Sequence, residues 1–430
     1  MTVLDRLGLH RPELRAWAMY DWANSAFQTT IITAVFPIYF ATVAGAGLGP
    51  AEATRYLAAA TTIALAVAAV LAPILGAVAD CAPVKKRMLA WFLGAGALAT
   101  AAMALVQRGD WVLGAVLFTI GNIGAAGSLT FYDSLLPHIA SGREIDRVST
   151  AGYALGYLGG GILLAINVAW IVSPGTFGLP DAGAASRLSF LSVAVWWIAF
   201  SLPLFRTVRE PCLRAGVTAD RLPIRAAVAG LIRTLRDLRA YRQAFLLLVA
   251  FVVYNDGINT IIRMATIYGT EIGLRQNQLI AAILLVQFVG IPFAFLFGLL
   301  AGWIGAKRSI FVALAVYTLT SVLGYFMRTE RDFFLLAIMV ATVQGGSQAL
   351  GRSLFASMIP RDKSSEFFGF FSVFEKFGAI LGPALFGLAS AATGSSRAGV
   401  LSVILFFVAG GTLLAFVDVE SGRRAAAETV

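Results

Sequence analysis

The chain has 430 residues, of which 59% are hydrophobic and 13% are charged, and its formal net charge is +10. This composition excludes an ordinary soluble protein, because a chain of this length would need a far more polar surface to stay in water. Apolar runs of about 20 residues recur instead, and each can cross the roughly 30 Å hydrocarbon core of a bilayer. They lack the period-two alternation of a membrane β-barrel. The sequence therefore predicts an all-α polytopic membrane protein.

Twelve transmembrane spans are predicted from the apolar runs. The segment after the sixth is rich in arginine and divides the chain into a six-helix bundle over 1–206, a cytoplasmic linker over 207–242 and a second six-helix bundle over 243–430. Apolar residues between Ile224 and Leu238 indicate a basic amphipathic helix on the membrane surface; a tether whose arginines only fix topology is the alternative. The predicted spans are approximately 14–44, 57–79, 88–106, 111–136, 148–172, 187–206, 243–270, 278–303, 308–327, 332–359, 366–390 and 397–418.

Basic residues concentrate in alternate loops of this topology, for example Lys85 and Lys86 after the second span and Lys307 after the eighth. Cytoplasmic loops carry an excess of lysine and arginine, so both termini are predicted to be cytoplasmic, in a plasma (inner) membrane protein. Both cysteines, Cys81 and Cys212, then face the reducing side, and no disulfide is expected. Topology thus explains the positive charge, and we expect no nucleic-acid partner.

Two predicted spans each carry polar residues at positions i, i+3, i+4 and i+7, a spacing that places four side chains on one face of a helix. Polar groups inside a bilayer must face protein or water. We therefore expect both stripes to line one cavity between the bundles, for substrate binding or coupling. The first stripe is Asp21, Asn24, Ser25 and Gln28, and the second stripe is Asp256, Asn259, Thr260 and Arg263.

The charged members of the stripes suit a zwitterionic solute. Asp256 lies near the predicted midplane, where it would bind a substrate ammonium group or carry a proton; a structural hydrogen bond to a neighbouring helix is the alternative. Arg263 would bind a substrate carboxylate with its planar guanidinium, or would form a buried structural ion pair. Asp21 is expected to gate the cavity or contact substrate, with hydrogen bonding between packed spans as the alternative.

Four further candidate site residues lie within predicted spans. Arg352 and Glu375 lie about 12 and 13 Å from the cytoplasmic ends of their spans, so we expect an ion pair between them. Protonation of Glu375 would break this pair in a proton-coupled carrier, whereas a structural contact between two spans is the alternative. Gln348 precedes Arg352 by one turn and shares its face, and Asp133 is expected to contact an arginine of the following loop at a cytoplasmic gate.

The loop after the second span resembles the loop motif of the major facilitator superfamily, in which Gly, Asp, Gly, Arg and Lys recur. Gly76, Asp80 and Lys85 match this motif, whereas Pro83 and Val84 replace its second Gly and its Arg. The resemblance implies two six-helix bundles that alternate access to a central site. The matching residues Gly76, Asp80 and Lys85 are candidates for a gate or loop motif.

The first span carries a more specific resemblance. Its residues 20–27, Tyr-Asp-Trp-Ala-Asn-Ser-Ala-Phe, and residues 36–40, Phe-Pro-Ile-Tyr-Phe, resemble the "unknown major facilitator" family. That family includes the fungal vacuolar effluxer-like amino-acid permeases. The resemblance implies transport of a small solute and leaves the substrate open.

The sequence thus predicts a secondary active or facilitative transporter of a small polar metabolite, with an amino acid as one candidate and proton coupling open. A non-transporting sensor on a carrier fold and an exporter of drug-like compounds are the alternatives. The chain lacks a phosphate-binding loop, a His-Glu-x-x-His run and a Gly-x-Ser-x-Gly elbow, so no enzyme is expected. Two histidines and two cysteines are too few for a metal site of those ligands, and no cofactor is expected. The expected partners are the substrate, the bilayer and, if transport is coupled, protons, with the chain a monomer.

Overall fold

The structure is a computed structural model that describes residues 3–81, 83–142, 144–210, 241–271, 273–378, 381–393 and 396–427. The amphipathic helix predicted between residues 224 and 238 lies outside the described residues, and so does Cys212. The division into bundles over 1–206 and 243–430 with a linker over 207–242 therefore stays a prediction.

Helices make up nearly all of the described chain, and the predicted all-α polytopic fold class is confirmed. The longer helices of the first half are α1 Pro12–Ala44, α2 Pro50–Cys81, α3 Lys85–Ala102, α4 Trp111–Ile139, α5 Glu144–Val172 and α6 Ala182–Thr207. Those of the second half are α7 Arg242–Glu271, α8 Gln276–Ile304, α9 Ala306–Phe326, α10 Glu330–Ala356, α11 Ser364–Gly378, α12 Leu381–Thr393 and α13 Ser396–Ala415.

Within the described ranges, 11 helices are long and apolar enough to cross a membrane. The predicted eleventh span, over 366–390, corresponds to α11 together with the shorter apolar helix α12. Large apolar side chains cover the outer surface: Trp91, Leu98, Trp303 and Phe416 are each at least 69% exposed. Exposing these apolar side chains to water would be unfavourable, whereas contact with the hydrocarbon of a bilayer is not. The surface therefore agrees with an integral membrane protein.

Helix α1 changes its winding along its length. Residues Pro12–Ala26 form a regular α-helix, and Phe27–Ala34 and Phe40–Ala44 form wider π-helical segments. In the first of these segments the N–H of Val35 donates to the carbonyl of Thr30 at 2.8 Å, five residues back. π-helical turns are rare and occur frequently at functional sites. The first stripe thus ends, at Gln28, where the geometry of the helix changes.

The main contacts between the two halves are made by four helix pairs: α5 packs on α8 and on α10, and α2 and α4 both pack on α11. Glycines allow a close approach at these contacts, as small residues do between membrane helices. A Cβ atom added to Gly290 or Gly345 would touch the ring of Tyr157, and one added to Gly369 would touch the backbone of Ala72. These contacts frame a cavity between the halves.

Candidate functional site

A cavity of about 610 Å³ lies between the two halves of the molecule. Helices α1, α4 and α5 contribute to its wall from the first half, and α7, α8, α10 and α11 from the second. A volume of this size is ordinary for small-molecule sites. The predicted site residues that line it are Asp21, Asn24, Gln28, Asp133, Asn259, Arg263, Gln348, Arg352 and Glu375.

Asp256 is the stripe residue that lies outside the cavity wall. Its side chain is buried in the contact between α7 and α12, and its Oδ2 atom accepts the N–H of Gly382 at 2.8 Å. A Cβ on Gly382 would collide with Thr260 and lie 2.8 Å from Asp256 Oδ1. This contact is the structural hydrogen bond set out as the alternative for Asp256. A role of Asp256 with Arg263 in binding a zwitterionic solute stays a prediction.

Arg352 lies at one end of the cavity and connects the halves. Its Nη2 atom is 3.1 Å from Asp21 Oδ2 on α1, and its Nη1 atom is 3.1 Å from Asp133 Oδ1 on α4. The Nε–H donates to Ser149 Oγ at 2.9 Å, and Nη2 also donates to the Ser149 carbonyl. Tyr132 donates its hydroxyl to Asp21 Oδ2 at 2.9 Å. We call Arg352, Asp21 and Asp133 the latch.

Aromatic rings enclose the latch. The Arg352 Cζ atom lies 4.9 Å from the ring centroid of Trp17 and 4.7 Å from that of Tyr153. A guanidinium over an aromatic face gains cation–π attraction, more so when both groups are removed from water. The latch is therefore a largely buried, charge-assisted contact, in which charged hydrogen bonds are stronger than they would be on a surface.

The predicted ion pair between Arg352 and Glu375 is not formed. Arg352 pairs instead with acids of the first half. Depth in the membrane was the only basis for that prediction, and depth leaves the direction of a side chain around its helix undetermined. Asp133 likewise contacts Arg352 rather than an arginine of the following loop.

The predicted loop motif closes the same end of the molecule. Asp80 Oδ1 is 2.9 Å from Lys85 Nζ, and the carboxylate also accepts the N–H groups of Ser365 and Glu366 at 3.1 and 2.8 Å. These N–H groups belong to the first turn of α11, where a helix favours negative charge. A Cβ on Gly76 would collide with the carbonyl of Ser365, so glycine is needed there.

Further hydrogen bonds between the halves lie nearby. Lys85 Nζ donates to Ser364 Oγ at 2.8 Å, Ser353 donates to Asp146 Oδ1 at 2.6 Å, and Ser149 donates to the carbonyl of Ala349 at 2.8 Å. They cluster at the end of the cavity that contains the latch, and this end is closed.

Amide side chains line the cavity beyond the latch. Within the described part of the chain, five of them make no side-chain hydrogen bond to protein: Asn24, Gln28, Asn259, Gln287 and Gln344. Gln348 donates to Asn255 Oδ1 at 3.4 Å. Sequence reasoning missed Gln287, Tyr153 and Tyr157 at this site. Gln287 could have been identified as a single amide within an apolar run, whereas nothing comparable in the sequence distinguishes the two tyrosines.

Comparison with known proteins places this geometry in context. Residues 51–427 match the family model described as "Vacuole effluxer Atg22 like". The chain is 37% identical over 408 residues to an uncharacterized MFS-type transporter of Bacillus subtilis strain 168, YxiO, covering 94% of this chain and 95% of that one. It is 28% identical over 310 residues to autophagy-related protein 22 of Yarrowia lipolytica, covering 65% of this chain and 51% of that one.

Two solved structures show the same fold. One is the major facilitator superfamily transporter FucP in the outward conformation, with a TM-score of 0.70 and 12% identity, covering 95% of this chain and 100% of that one. The other is a bacterial homologue of the iron transporter ferroportin in an outward-facing state, with a TM-score of 0.67 and 13% identity, covering 94% and 98% of the two chains. At these identities the likeness concerns the fold alone.

Proposed function

Because the chain belongs to the Atg22-like vacuole effluxer family of major facilitator transporters, we propose that its cavity carries a small polar metabolite across the membrane by alternating access. The family and fold make the protein a transporter. The class of solute is inferred from the cavity, and amino acids are the first group to test.

The five amides without protein partners carry this proposal. Each amide offers two N–H donors and a carbonyl acceptor. A polar group left unpaired inside a membrane protein is costly, so such groups persist where water or a ligand satisfies them. Asn24, Gln28, Asn259, Gln287 and Gln344 come from both halves of the molecule and border one cavity. Groups that both donate and accept suit a solute with several polar atoms.

The closed end supports alternating access. The latch and the contact of Asp80 with α11 hold α1, α2 and α4 against α10 and α11. Transport to that side requires these contacts to separate while the cavity closes elsewhere. We propose that the latch end faces the cytoplasm of a plasma (inner) membrane, since the loops rich in lysine and arginine lie there. On this proposal the present conformation is open to the outside.

A binding and uptake screen tests the proposal. Purified protein is heated with amino acids, organic acids, nucleosides and drug-like compounds, because a specific ligand raises the melting temperature. Hits are then followed by uptake into proteoliposomes. The variant Q28L removes one cavity amide, and the matched control T62V removes a hydroxyl that bonds only within its own helix on the exposed face of α2.

We expect a polar metabolite to stabilise the protein and to accumulate, with Q28L weakening its binding roughly two- to tenfold and T62V leaving binding unchanged. If drug-like compounds alone bind, the protein is an exporter of such compounds. If no compound class accumulates in proteoliposomes, the proposed transport of a polar metabolite is rejected.

A further inference from the structure

The charges that line the cavity are unevenly distributed. Asp21, Asp133, Glu375 and Arg352 lie toward the latch end, where Glu375 interacts electrostatically with Asp133 and with Tyr153. This end thus contains three acids and one arginine, which pairs with two of them. With all four ionised, this end of the cavity has two more negative than positive charges.

Arg352 has little capacity left for a substrate. Its guanidinium donates to Asp21, to Asp133 and twice to Ser149. These contacts use four of the five N–H donors of an arginine. A substrate carboxylate that took up two N–H donors would have to displace one of the two acids. The latch end is therefore poorly suited to an anion.

Glu375 and Asn24, in contrast to Arg352, have hydrogen-bonding atoms that none of the described residues occupies. Across the described ranges, the carboxylate of Glu375 has no ion pair and no hydrogen bond. Asn24 is only 3% exposed, lines the cavity one turn from Asp21, and has a side-chain oxygen without a partner. Gln287 likewise has an unpartnered side-chain oxygen at the cavity wall. Within these ranges the cavity wall therefore has hydrogen-bond acceptors without donors, and a ligand that donates hydrogen bonds would satisfy them.

Aromatic side chains complete this region. Tyr153, Tyr157, Phe251, Phe368 and Phe371 all line the cavity. Tyr153 already holds one cation, the guanidinium of Arg352, at 4.7 Å from its ring. Aromatic faces combined with a carboxylate form a favourable environment for an ammonium group, because the ring quadrupole attracts cations.

We propose that the latch end of the cavity binds a protonated amine of the transported solute, with Glu375 as the counter-charge and Asn24 as an acceptor. This inference rests on the proposed function and specifies its substrate class: the solute carries an ammonium group, which enters first toward the latch. Arg263 also lines the cavity and is not part of the latch.

The test compares small polar probes with and without ammonium groups. Putrescine and L-lysine carry ammonium groups; the diol analogue of putrescine has hydroxyls in their place, and succinate is an anion of similar length. Binding is measured by thermal shift on purified wild-type protein and on E375Q, E375D and E420Q. E420Q is the matched control, because Glu420 is 74% exposed and forms only a local ion pair with Arg423.

We expect putrescine or L-lysine to stabilise wild-type protein, and the diol and succinate to have no effect. E375Q should weaken binding of the amines roughly 10- to 100-fold, as loss of a charged hydrogen bond does. E375D, which keeps the charge, should retain most of the affinity, and E420Q all of it. The comparison of putrescine with its diol needs no variant, so it stands even if E375Q folds poorly.

Other results overturn the inference. Preference of wild-type protein for succinate or the diol would do so, as would amine binding by E375Q equal to wild type. If E375Q binds amines normally but loses the pH dependence of uptake, Glu375 carries a proton instead and the inference fails. Transport of neutral solutes without amine binding rejects the inference but leaves the proposed function standing; absence of transport for every solute class rejects the proposed function itself.

Discussion

Arg352 contacts two acids of the other half through different nitrogen atoms, and its Nε–H donates to a third partner, Ser149. The rigid fork of a planar guanidinium carries donors toward all three partners. The side chains of Arg352, Asp21 and Asp133 are 5, 12 and 15% exposed, so solvent screens their charges little. The energetic role of the arginine is to leave neither acid buried without a counter-charge.

Replacing Arg352 with methionine is expected to destabilise the protein by roughly 3–5 kcal/mol, because it leaves Asp21 and Asp133 buried without a counter-charge. The measurement is thermal and denaturant unfolding in detergent. The triple variant R352M/D21N/D133N, which also removes both acids, should recover most of the loss. Equal stability of wild type and R352M, or no recovery in the triple variant, would contradict this account of the latch.

At the scale of helices, glycine determines how α1 and α5 meet. A Cβ on Gly156 would lie 2.6 Å from Ser25 Oγ, and one on Gly159 would lie 2.5 Å from the carbonyl oxygen of Trp22. The second half has a similar close contact between helices, since Gly382 of α12 meets Thr260 of α7. Glycine packing thus holds each stripe helix at a close distance from its neighbour in both halves.

The variant G159A should be destabilised by about 1–3 kcal/mol, because the added methyl group meets backbone that cannot rotate away. The matched control is G94A in α3, where an added Cβ meets nothing within 4 Å. Alanine there should be neutral or stabilising by up to about 1 kcal/mol, since it favours the helix. Unfolding curves of both variants test this; equal stability of G159A and G94A would show that α1 and α5 can move apart freely.

The helices and the first stripe were predictable from sequence because apolar length and helical spacing are strong local signals. Asn24 and Gln28 line the cavity as that spacing predicts. The surroundings of Asp256 were not predictable in the same way, because a polar stripe can face either a cavity or a packed helix, and the Gly382 N–H that Asp256 accepts is distant in sequence. The partners of Arg352 were equally inaccessible, since pairing across the halves depends on how they dock.

At the scale of the whole molecule, the predicted orientation in the membrane determines the side to which the cavity opens. Asp181 caps the start of α6 and is exposed, and Arg397 lies at the start of α13; both are at the end opposite the predicted cytoplasmic loops. Cysteines in the variants D181C and R397C should react with a membrane-impermeant thiol reagent on intact cells. Cys212 should react only after permeabilisation. Labelling of Cys212 from outside would reverse the assignment.

Because the latch lies at one end, the carrier has a different apparent affinity for its solute on each of its two faces. Solute arriving from the latch side can bind only to molecules whose latch is open, and the apparent dissociation constant on that face equals the intrinsic value divided by the open fraction. Each 1.4 kcal/mol of net latch stability lowers that fraction about tenfold. Transport is therefore expected to be half-saturated at a lower solute concentration on the face opposite the latch. A passive carrier still brings the solute to the same concentration on both sides. Comparing the two half-saturation points reveals which compartment the protein is suited to draw from.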